Sequence, residues 1–183
     1  ADGYPLYYDA MNETGVCMAG LNFPGFAHYS KKVDGMDNVA CFEFIPWVLG
    51  QCRNLEDVRK LLAQLCLIET PFSPELPTTQ LHWIISDQTG CITVEPRADG
   101  IRLYDNPVGV LTNNPPFDDQ MFQLCNYMHL SPNPPHNYFS QKVDLKPYSR
   151  GMGAIGLPGD LSSQSRFVRA AFVALNPYYA ETE

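Results

Sequence analysis

The sequence predicts a single α+β domain built from packed layers, because strand-like and helix-like segments alternate along its 183 residues. Three short runs, at residues 81–86, 91–95 and 101–104, are separated by turns that contain glycine, and this spacing predicts an antiparallel meander. Apolar residues recur at helical spacing in two other segments, residues 55–65 and 167–175. With 45% hydrophobic and 17% charged residues, the chain has the composition of a folded globular protein.

The N-terminal third is predicted to hold a hairpin followed by two helices. Residues 4–11 and 16–22 flank an Asn-Glu-Thr-Gly turn, which predicts a pair of antiparallel strands. Residues 42–51 form an apolar run that is predicted to be helical, since Pro46 falls near the first turn, where proline is tolerated. Asn54 is predicted to cap the second helix. One face of that helix is predicted to carry Leu55, Val58, Leu61, Leu62 and Leu65.

The C-terminal half is predicted to hold one more strand, two helices and a long loop. Residues 108–112 are predicted to be the strand, and residues 117–129 the first of the helices. Residues 131–159 contain five prolines and are predicted to form a loop, of a length that usually serves function or assembly in a compact domain. Ser162 or Ser163 is predicted to cap the last helix. The apolar face of that helix is formed by Phe167, Val168, Ala171, Phe172 and Leu175.

Charge and cysteine usage argue against several classes of partner. Twenty acidic against twelve basic residues give a net charge of -8, which disfavours nucleic acid and an anionic membrane surface, since both attract clustered cations. No run approaches the ~18 apolar residues of a bilayer-spanning helix. The six cysteines form no C-x-x-C pair, which predicts buried free thiols in a reducing cytoplasm rather than a zinc site. No cofactor and no metal ion are expected, and the acidic charge by itself indicates no class of substrate.

Few local motifs carry chemistry. The Gly-rich segment 151–156 matches G-x-G-x-x-G, but no predicted strand precedes it, which argues against a dinucleotide site. His82 lies in a predicted strand and is expected to be structural. Asn22 and Asn113 each end a predicted strand, and Arg166 lies early in the last helix. Strand ends can hold polar side chains rigidly over a site, but these three residues are weak signals by themselves.

Five stretches of the chain together resemble one enzyme family. They are Met-Asn-Glu-Thr-Gly at residues 11–15, Ala-Gly-Leu-Asn-Phe-Pro at 19–24, Leu-His-Trp-Ile-Ile-Ser-Asp at 81–87, Gly-Val-Leu-Thr-Asn-Asn-Pro at 109–115, and Gly-Leu-Pro-Gly-Asp at 156–160 with Ser-Arg-Phe at 165–167. Their order and spacing resemble the choloylglycine hydrolase family, which includes bile salt hydrolases and penicillin V acylases, over essentially the whole chain. The resemblance implies an N-terminal-nucleophile hydrolase fold, a four-layer αββα sandwich with two antiparallel sheets between helices, incomplete in this chain.

The resemblance also implies roles for particular residues. In this family an N-terminal cysteine attacks the substrate amide, and its own α-amine transfers the proton. Asn113 and Asn22 match the asparagines that act at the oxygen of the tetrahedral intermediate. Arg166 matches an arginine close to the nucleophile, where a cation favours the thiolate. An apolar wall that faces the substrate is implied at Phe72, Leu76 and Leu81.

The chain departs from the family pattern at the nucleophile. It begins at Ala1, and none of its six cysteines is N-terminal, so residues 1–183 are expected to be one partial domain, truncated at both ends and inactive alone. The full-length form is predicted to be a bacterial cytoplasmic homotetramer that cleaves glycine- or taurine-conjugated bile salts, with the 131–159 loop reaching a neighbouring subunit. Asn22 favours bile salts, because penicillin V acylases often carry tyrosine there. The alternatives are a penicillin V acylase or other N-acyl amide hydrolase, and a non-catalytic bile-salt-binding pseudoenzyme.

Overall fold

The computed structural model describes residues 5–177, in which seven strands and four α-helices are formed. The strands are β1 (Asp9–Met11), β2 (Cys17–Asn22), β3 (Asp37–Ala40), β4 (Leu65–Ile68), β5 (Leu81–Asp87), β6 (Gly90–Arg97) and β7 (Gly100–Asp105). The helices are α1 (Phe44–Leu49), α2 (Leu55–Leu62), α3 (Phe117–Gln123) and α4 (Ser163–Leu175). Five strands form one antiparallel sheet in the order β1-β2-β5-β6-β7, which includes the predicted meander, and β3 pairs with β4 in parallel.

The five-stranded sheet carries a hydrophobic core on each of its faces. On one face, Trp83, Ile85 and Ile92 are fully buried against α1 and α2. On the other face, Phe117 of α3 and Phe167 of α4 pack edge to face, with ring centroids 6.2 Å apart. This arrangement confirms the predicted layered α+β class. Within residues 5–177, the parallel pair β3–β4 is the only other sheet, so one of the two antiparallel sheets of the implied sandwich is represented.

The predicted N-terminal hairpin is confirmed, and one side chain holds its turn. The Oδ1 atom of Asn12 accepts hydrogen bonds from the backbone N–H groups of Thr14 at 3.2 Å and Val16 at 3.0 Å. Its Nδ2 atom donates to the carbonyl oxygens of Leu49, the last residue of α1, and Cys52, which follows shortly after. These bonds connect the hairpin to α1. The first strand is shorter than predicted, and Tyr4 lies outside the described residues.

Side-chain caps fix where α2 and α4 begin, as the sequence predicts. Asn54 Oδ1 accepts a hydrogen bond from the backbone N–H of Asp57 at 2.9 Å. Ser162, one of the two predicted candidates, accepts from the N–H of Ser165 at 3.3 Å. The buried apolar side chains of α4 are Phe167, Val168 and Ala171. Leu175, at the end of α4, is 55% exposed, so the predicted apolar face does not extend to the last turn.

Leu65 does not belong to α2, contrary to the predicted apolar stripe. The helix ends at Leu62, and Leu65 is the first residue of β4. All four residues of β4 are buried, and they pair in parallel with β3. Because a short continuous apolar run has no periodicity that distinguishes a strand from a helix, the sequence did not reveal this strand.

Residues 108–112 do not form the predicted strand, and the side chain of Asn106 explains why. Its Oδ1 atom accepts from the N–H of Gly109 at 2.9 Å, and its Nδ2 atom donates to the carbonyl of Val110 at 2.9 Å. Gly109 has a φ of +65°, a left-handed conformation that glycine adopts readily and that a strand does not use. Local side-chain hydrogen bonds therefore replace sheet pairing in this segment.

The chain after α3 is less helical than predicted. A 3-10 helix, Leu124–Tyr127, follows α3, so the helix predicted over residues 117–129 is confirmed only in its first part. Residues 131–159 form the predicted loop, apart from one short 3-10 helix. The Gly-rich segment 151–156 lies inside this loop and follows no strand, in agreement with the rejection of a dinucleotide site. None of the helices formed by residues 5–177 is long and apolar enough to cross a membrane.

Candidate active site

The structure brings together Asn22, Asn113 and Arg166, the three residues predicted to form the site. Arg166, in the first turn of α4, donates a hydrogen bond from Nη2 to Oδ1 of Asn113 at 2.7 Å. Its Nε atom donates to the carbonyl of Leu161 at 3.1 Å, which fixes the plane of the guanidinium. The Nδ2 atom of Asn113 donates to the backbone carbonyl of Asn22 at 2.9 Å. One hydrogen-bonded chain therefore connects α4, the turn after residue 112 and the end of β2.

An ionised carboxylate holds the start of α4, and with it the Arg166 side chain. Asp160 accepts from the N–H of Ser162 at 2.9 Å and from the hydroxyl of Ser165 at 2.6 Å. Hydrogen bonds from Ser162 and Ser165 lower the pKa of Asp160 to about 2, so the group is charged at neutral pH. Arg169 donates to the carbonyls of Pro158 at 2.8 Å and Asp160 at 2.6 Å, which binds the helix to the preceding loop.

A buried glutamine holds the turn that carries Asn113. The Nε2 atom of Gln120 donates to the carbonyls of Asn113 at 2.7 Å and Pro115 at 2.6 Å. Its Oε1 atom accepts from the hydroxyl of Thr112 at 3.0 Å. The Asn114–Pro115 peptide bond within this turn is cis. The backbone around Asn113 is thus fixed by α3, although the segment belongs to no regular element.

Beneath this turn lies a buried polar pair, formed by His82, which the sequence predicts to be structural, and Glu95, for which it predicts no role. His82 and Glu95 are both fully buried, with Nδ1 of the imidazole 3.1 Å from Oε1 of the carboxylate. The Nε2 atom of His82 lies 2.7 Å from the carbonyl oxygen of Thr112. One signal could have revealed the pair: Glu95 is a charged residue within the apolar run of β6, and a carboxylate in such a place needs partners.

A cavity of about 200 Å³ opens beside Asn22. The Asn22 side chain is exposed, and no hydrogen bond within residues 5–177 engages its amide group. The cavity lining includes Tyr7, Tyr8, Cys41, Phe42, Leu81 and Trp83. This volume is smaller than the ~300–1,000 Å³ of most ligand pockets.

Of the three residues predicted to face the substrate, one lines this cavity and two do not. Leu81 is part of the lining. Phe72 is not part of the lining, but it packs edge to face against Phe42, which is, with ring centroids 5.1 Å apart. Leu76 is 49% exposed and lies outside the lining.

Cys41 brings a thiol to the cavity wall, but its surroundings do not activate it. Burial raises the pKa of Cys41, which disfavours the nucleophilic thiolate. Burial likewise raises the pKa of Cys52 and of Cys91 to about 11. All six cysteines are free, and none takes part in the hydrogen bonds that join Arg166 to Asn113 and Asn22.

The site therefore combines one oriented amide donor with a cation. One N–H of the Asn113 amide is used by the Asn22 carbonyl, and the second N–H is left for another acceptor. Arg166 contributes a permanent positive charge that is bonded to the same amide. Donors fixed in this way can stabilise negative charge that develops on a carbonyl oxygen during acyl transfer.

Comparison with known proteins places the chain in a family. Linear amide C–N hydrolases of the choloylglycine hydrolase family match residues 1–183. A bile salt hydrolase/transferase from Lactiplantibacillus plantarum is 55% identical over 182 residues, which are 100% of this chain and 56% of that protein. A bile salt hydrolase/transferase from Clostridium perfringens is 40% identical over 174 residues, which are 94% of this chain and 53% of that protein. The chain thus spans about half the length of the curated relatives that it matches.

Solved structures agree with this assignment. A crystal structure of a variant of conjugated bile acid hydrolase from Clostridium perfringens matches 95% of this chain and 54% of its own, with a TM-score of 0.87 and 39% identity. Penicillin V acylase from Agrobacterium tumefaciens matches 93% of this chain and 45% of its own, with a TM-score of 0.66 and 22% identity, a likeness of fold alone. These neighbours confirm the predicted N-terminal-nucleophile hydrolase fold. On the match over all 183 residues and the identity to its relatives, the chain belongs to the choloylglycine hydrolase family of linear amide C–N hydrolases.

Proposed function

We propose that this chain is part of an amidase that hydrolyses the amide bond of glycine- or taurine-conjugated bile salts. The observation that carries the proposal is the hydrogen-bonded chain from Arg166 through Asn113 to Asn22. Family membership supports a C–N amide hydrolase. Relatives named for bile salts and for conjugated bile acids support this class of substrate.

Asn113 stabilises, in this proposal, the oxygen of the tetrahedral intermediate. The second N–H of its side-chain amide is the donor, because the first is held by the Asn22 carbonyl. Arg166 binds the oxygen of the same amide, which keeps the nitrogen on the side of Asn22. A donor oriented in advance needs no reorganisation as charge develops, and loss of one such donor costs about 10²–10³ in turnover.

Asn22 and Arg166 complete the proposed site. The Asn22 side-chain amide is exposed beside the cavity and can supply a second donor to the same oxygen. The Arg166 guanidinium is bonded to the oxygen of the same amide and adds positive charge to the site. A nearby cation favours a thiolate over a thiol, which is the form of cysteine that attacks an amide.

The nucleophile is proposed to be an N-terminal cysteine of a longer protein, of which residues 1–183 are one partial domain. The α-amine of such a cysteine has an ordinary pKa of ~7.7–8.0, which suits proton transfer near neutrality. Cys41 is not proposed for this task, because burial raises its pKa. The 183-residue chain is accordingly expected to be inactive alone.

The intact protein is proposed to be a cytoplasmic homotetramer. The loop over residues 131–159 presents large aromatic side chains to solvent, among them Tyr138 and Phe139, which are 90% and 86% exposed. Clustered apolar exposure of this kind often marks a protein–protein contact. The free state of all six cysteines suits a reducing compartment.

The test compares the 183-residue chain with the longer protein that starts at cysteine, on glycine- and taurine-conjugated bile salts and on penicillin V. Release of glycine or taurine by the longer protein, and no release by the 183-residue chain, is the expected result. Hydrolysis of penicillin V alone would replace the proposal by the acylase alternative. Binding of bile salt, measured by calorimetry, without turnover would replace it by the pseudoenzyme alternative.

A further inference from the structure

The imidazole of His82 is fully buried where β5 meets the turn after residue 112. Its Nε2 atom lies 2.7 Å from the carbonyl oxygen of Thr112, and its Nδ1 atom lies 3.1 Å from Oε1 of Glu95. Its ring stacks on that of Phe23, with centroids 4.2 Å apart and planes 6° apart. Because a carbonyl oxygen can only accept, Nε2 carries the hydrogen and donates it to Thr112.

Two of these contacts reach residues that adjoin the asparagines of the candidate site. Thr112 directly precedes Asn113, and Phe23 directly follows Asn22. The two asparagines come from separate parts of the chain and are joined at the surface by the hydrogen bond between them. His82 is a second connection between the same two segments, made from inside the protein.

Glu95 extends this support to the far side of the turn. Its Oε1 atom also accepts from the N–H of Phe117 at 2.9 Å, at the first residue of α3. Its Oε2 atom accepts from Arg97 at 3.2 Å, so the buried carboxylate is paired on both oxygens. The turn that carries Asn113 is therefore held before it, at Thr112, and after it, at Phe117, by one buried pair.

We propose that His82 is a positioning residue, which fixes Asn113 relative to Asn22 through its hydrogen bond to Thr112, while its ring packs on Phe23. The effect on catalysis rests on the proposed function, in which both asparagines bind the reacting oxygen. The effect on the relative position of Asn113 and Asn22 does not depend on the proposed function. Misplacement of a catalytic group by about 1 Å can lower a rate by roughly 10²-fold.

Two substitutions at position 82 separate hydrogen bonding from packing. His82→Phe keeps a flat ring against Phe23 but cannot donate to Thr112, whereas His82→Gln carries an amide N–H that can. In the longer protein, we expect His82→Phe to lower kcat by about 10²-fold with KM changed by less than about threefold, and His82→Gln to restore most of the loss. Ile85→Ala is the matched control, since Ile85 is buried in the same strand on the opposite face. It should lower thermal stability and leave kcat per folded molecule unchanged.

The outcomes distinguish this inference from the proposed function. An unchanged kcat per folded molecule in His82→Phe would overturn the inference, because it would mean that the hydrogen bond to Thr112 does not position Asn113. If the wild-type protein cleaves no amide, the proposed function fails, and crystal structures of the two variants decide the inference instead. The hydrogen bond from Asn113 to the Asn22 carbonyl, 2.9 Å long in the wild-type chain, should then be broken in His82→Phe and kept in His82→Gln. Its retention in both variants would refute the positioning role.

Discussion

Arg166 and Asn113 lie 53 residues apart in the chain and are joined by a hydrogen bond of 2.7 Å from the guanidinium to the side-chain carbonyl oxygen. This bond selects one of the two orientations of the amide, because a guanidinium has no acceptor and can only face the oxygen. The nitrogen of Asn113 must then point away from α4, where it meets the Asn22 carbonyl. The arginine therefore orients a hydrogen-bond donor as well as adding charge to the site.

Substitution of Asn113 by Asp tests whether the side-chain N–H is used. Asp keeps an oxygen beside Arg166 but has no donor, so we expect kcat of Asn113→Asp in the longer protein to fall by about 10²–10³-fold with the fold retained. Asn113→Ala loses the Arg166 contact as well and should also lower the unfolding temperature. Steady-state hydrolysis of a conjugated bile salt, with circular dichroism on the same samples, measures both effects. Near-normal activity of Asn113→Asp would exclude the side-chain N–H as a donor to the intermediate.

Substitution of Arg166 by Lys tests the orienting bond, with Arg169→Lys on the same helix as its control. Lys cannot reproduce the planar fork that bonds Leu161 and Asn113 together. A hydrogen bond to a charged group contributes about 1.5–3 kcal/mol, so we expect Arg166→Lys to lower kcat by about 10- to 100-fold. Among residues 5–177, Arg169 bonds only to backbone carbonyls of the preceding loop, so Arg169→Lys should lower stability and leave kcat per folded molecule intact. Equal losses of kcat in the two variants would contradict a specific function for Arg166.

Elements that depend on neighbouring residues could be predicted from the sequence, and those that depend on distant pairing could not. The cap of α2 is formed between Asn54 and Asp57, three positions apart, and the sequence predicts it correctly. Strand β4 exists because it pairs with β3 from elsewhere in the chain, so the local apolar pattern wrongly predicts that Leu65 belongs to the preceding helix. Residues 108–112 are the exception: Asn106 bonds to residues only three and four positions away, and these local bonds take the place of the strand that the apolar run predicts.

The candidate site shows the same limit more strongly. Nothing in the sequence near Asn113 or Arg166 indicates that the two side chains meet. Their positions at a strand end and a helix start are weak signals, and only the resemblance to a family gives them roles. The contact between His82 and Glu95 depends on the register of β5 and β6, in which Trp83 pairs with Val94. A slip of one residue would place the two polar side chains on opposite faces, and a single sequence does not fix the register to that precision.

Gly153 is predicted to be required for closure of the long loop. A Cβ atom at this position would lie 2.0 Å from the carbonyl oxygen of Asn133 and 2.4 Å from that of Ser131. Both are backbone atoms, so no side-chain rotation relieves the clash. We expect Gly153→Ala to release the loop and increase its cleavage by protease, whereas Gly159→Ala, with no atom within 4 Å, should not. Limited proteolysis with mass spectrometry measures cleavage within the loop. Equal cleavage of the two variants would disprove the close packing of Gly153 against the Ser131 and Asn133 carbonyls.

Asp160 is predicted to make the stability of the protein depend on pH in the acid range. Hydrogen bonds from Ser162 and Ser165 lower its pKa from 3.8 to about 2 in the folded chain. A group with a lowered pKa in the folded state stabilises that state above the unfolded pKa, and this contribution disappears as the pH falls through the folded value. The contribution of Asp160 should therefore be complete above about pH 4 and lost between about pH 4 and pH 2.

Thermal unfolding of Asp160→Asn across this range measures the effect. The variant should unfold at a lower temperature than the wild-type protein at neutral pH, and the difference should shrink as the pH approaches 2. Ser165→Ala is the matched variant, since it removes one donor at 2.6 Å and keeps the carboxylate. Its loss of stability should also be largest at neutral pH, and it should be smaller than that of Asp160→Asn because the Ser162 bonds remain. If the difference in unfolding temperature between Asp160→Asn and the wild-type protein stayed constant over the whole pH range, the Asp160 carboxylate would not anchor α4 or Arg166 on that helix.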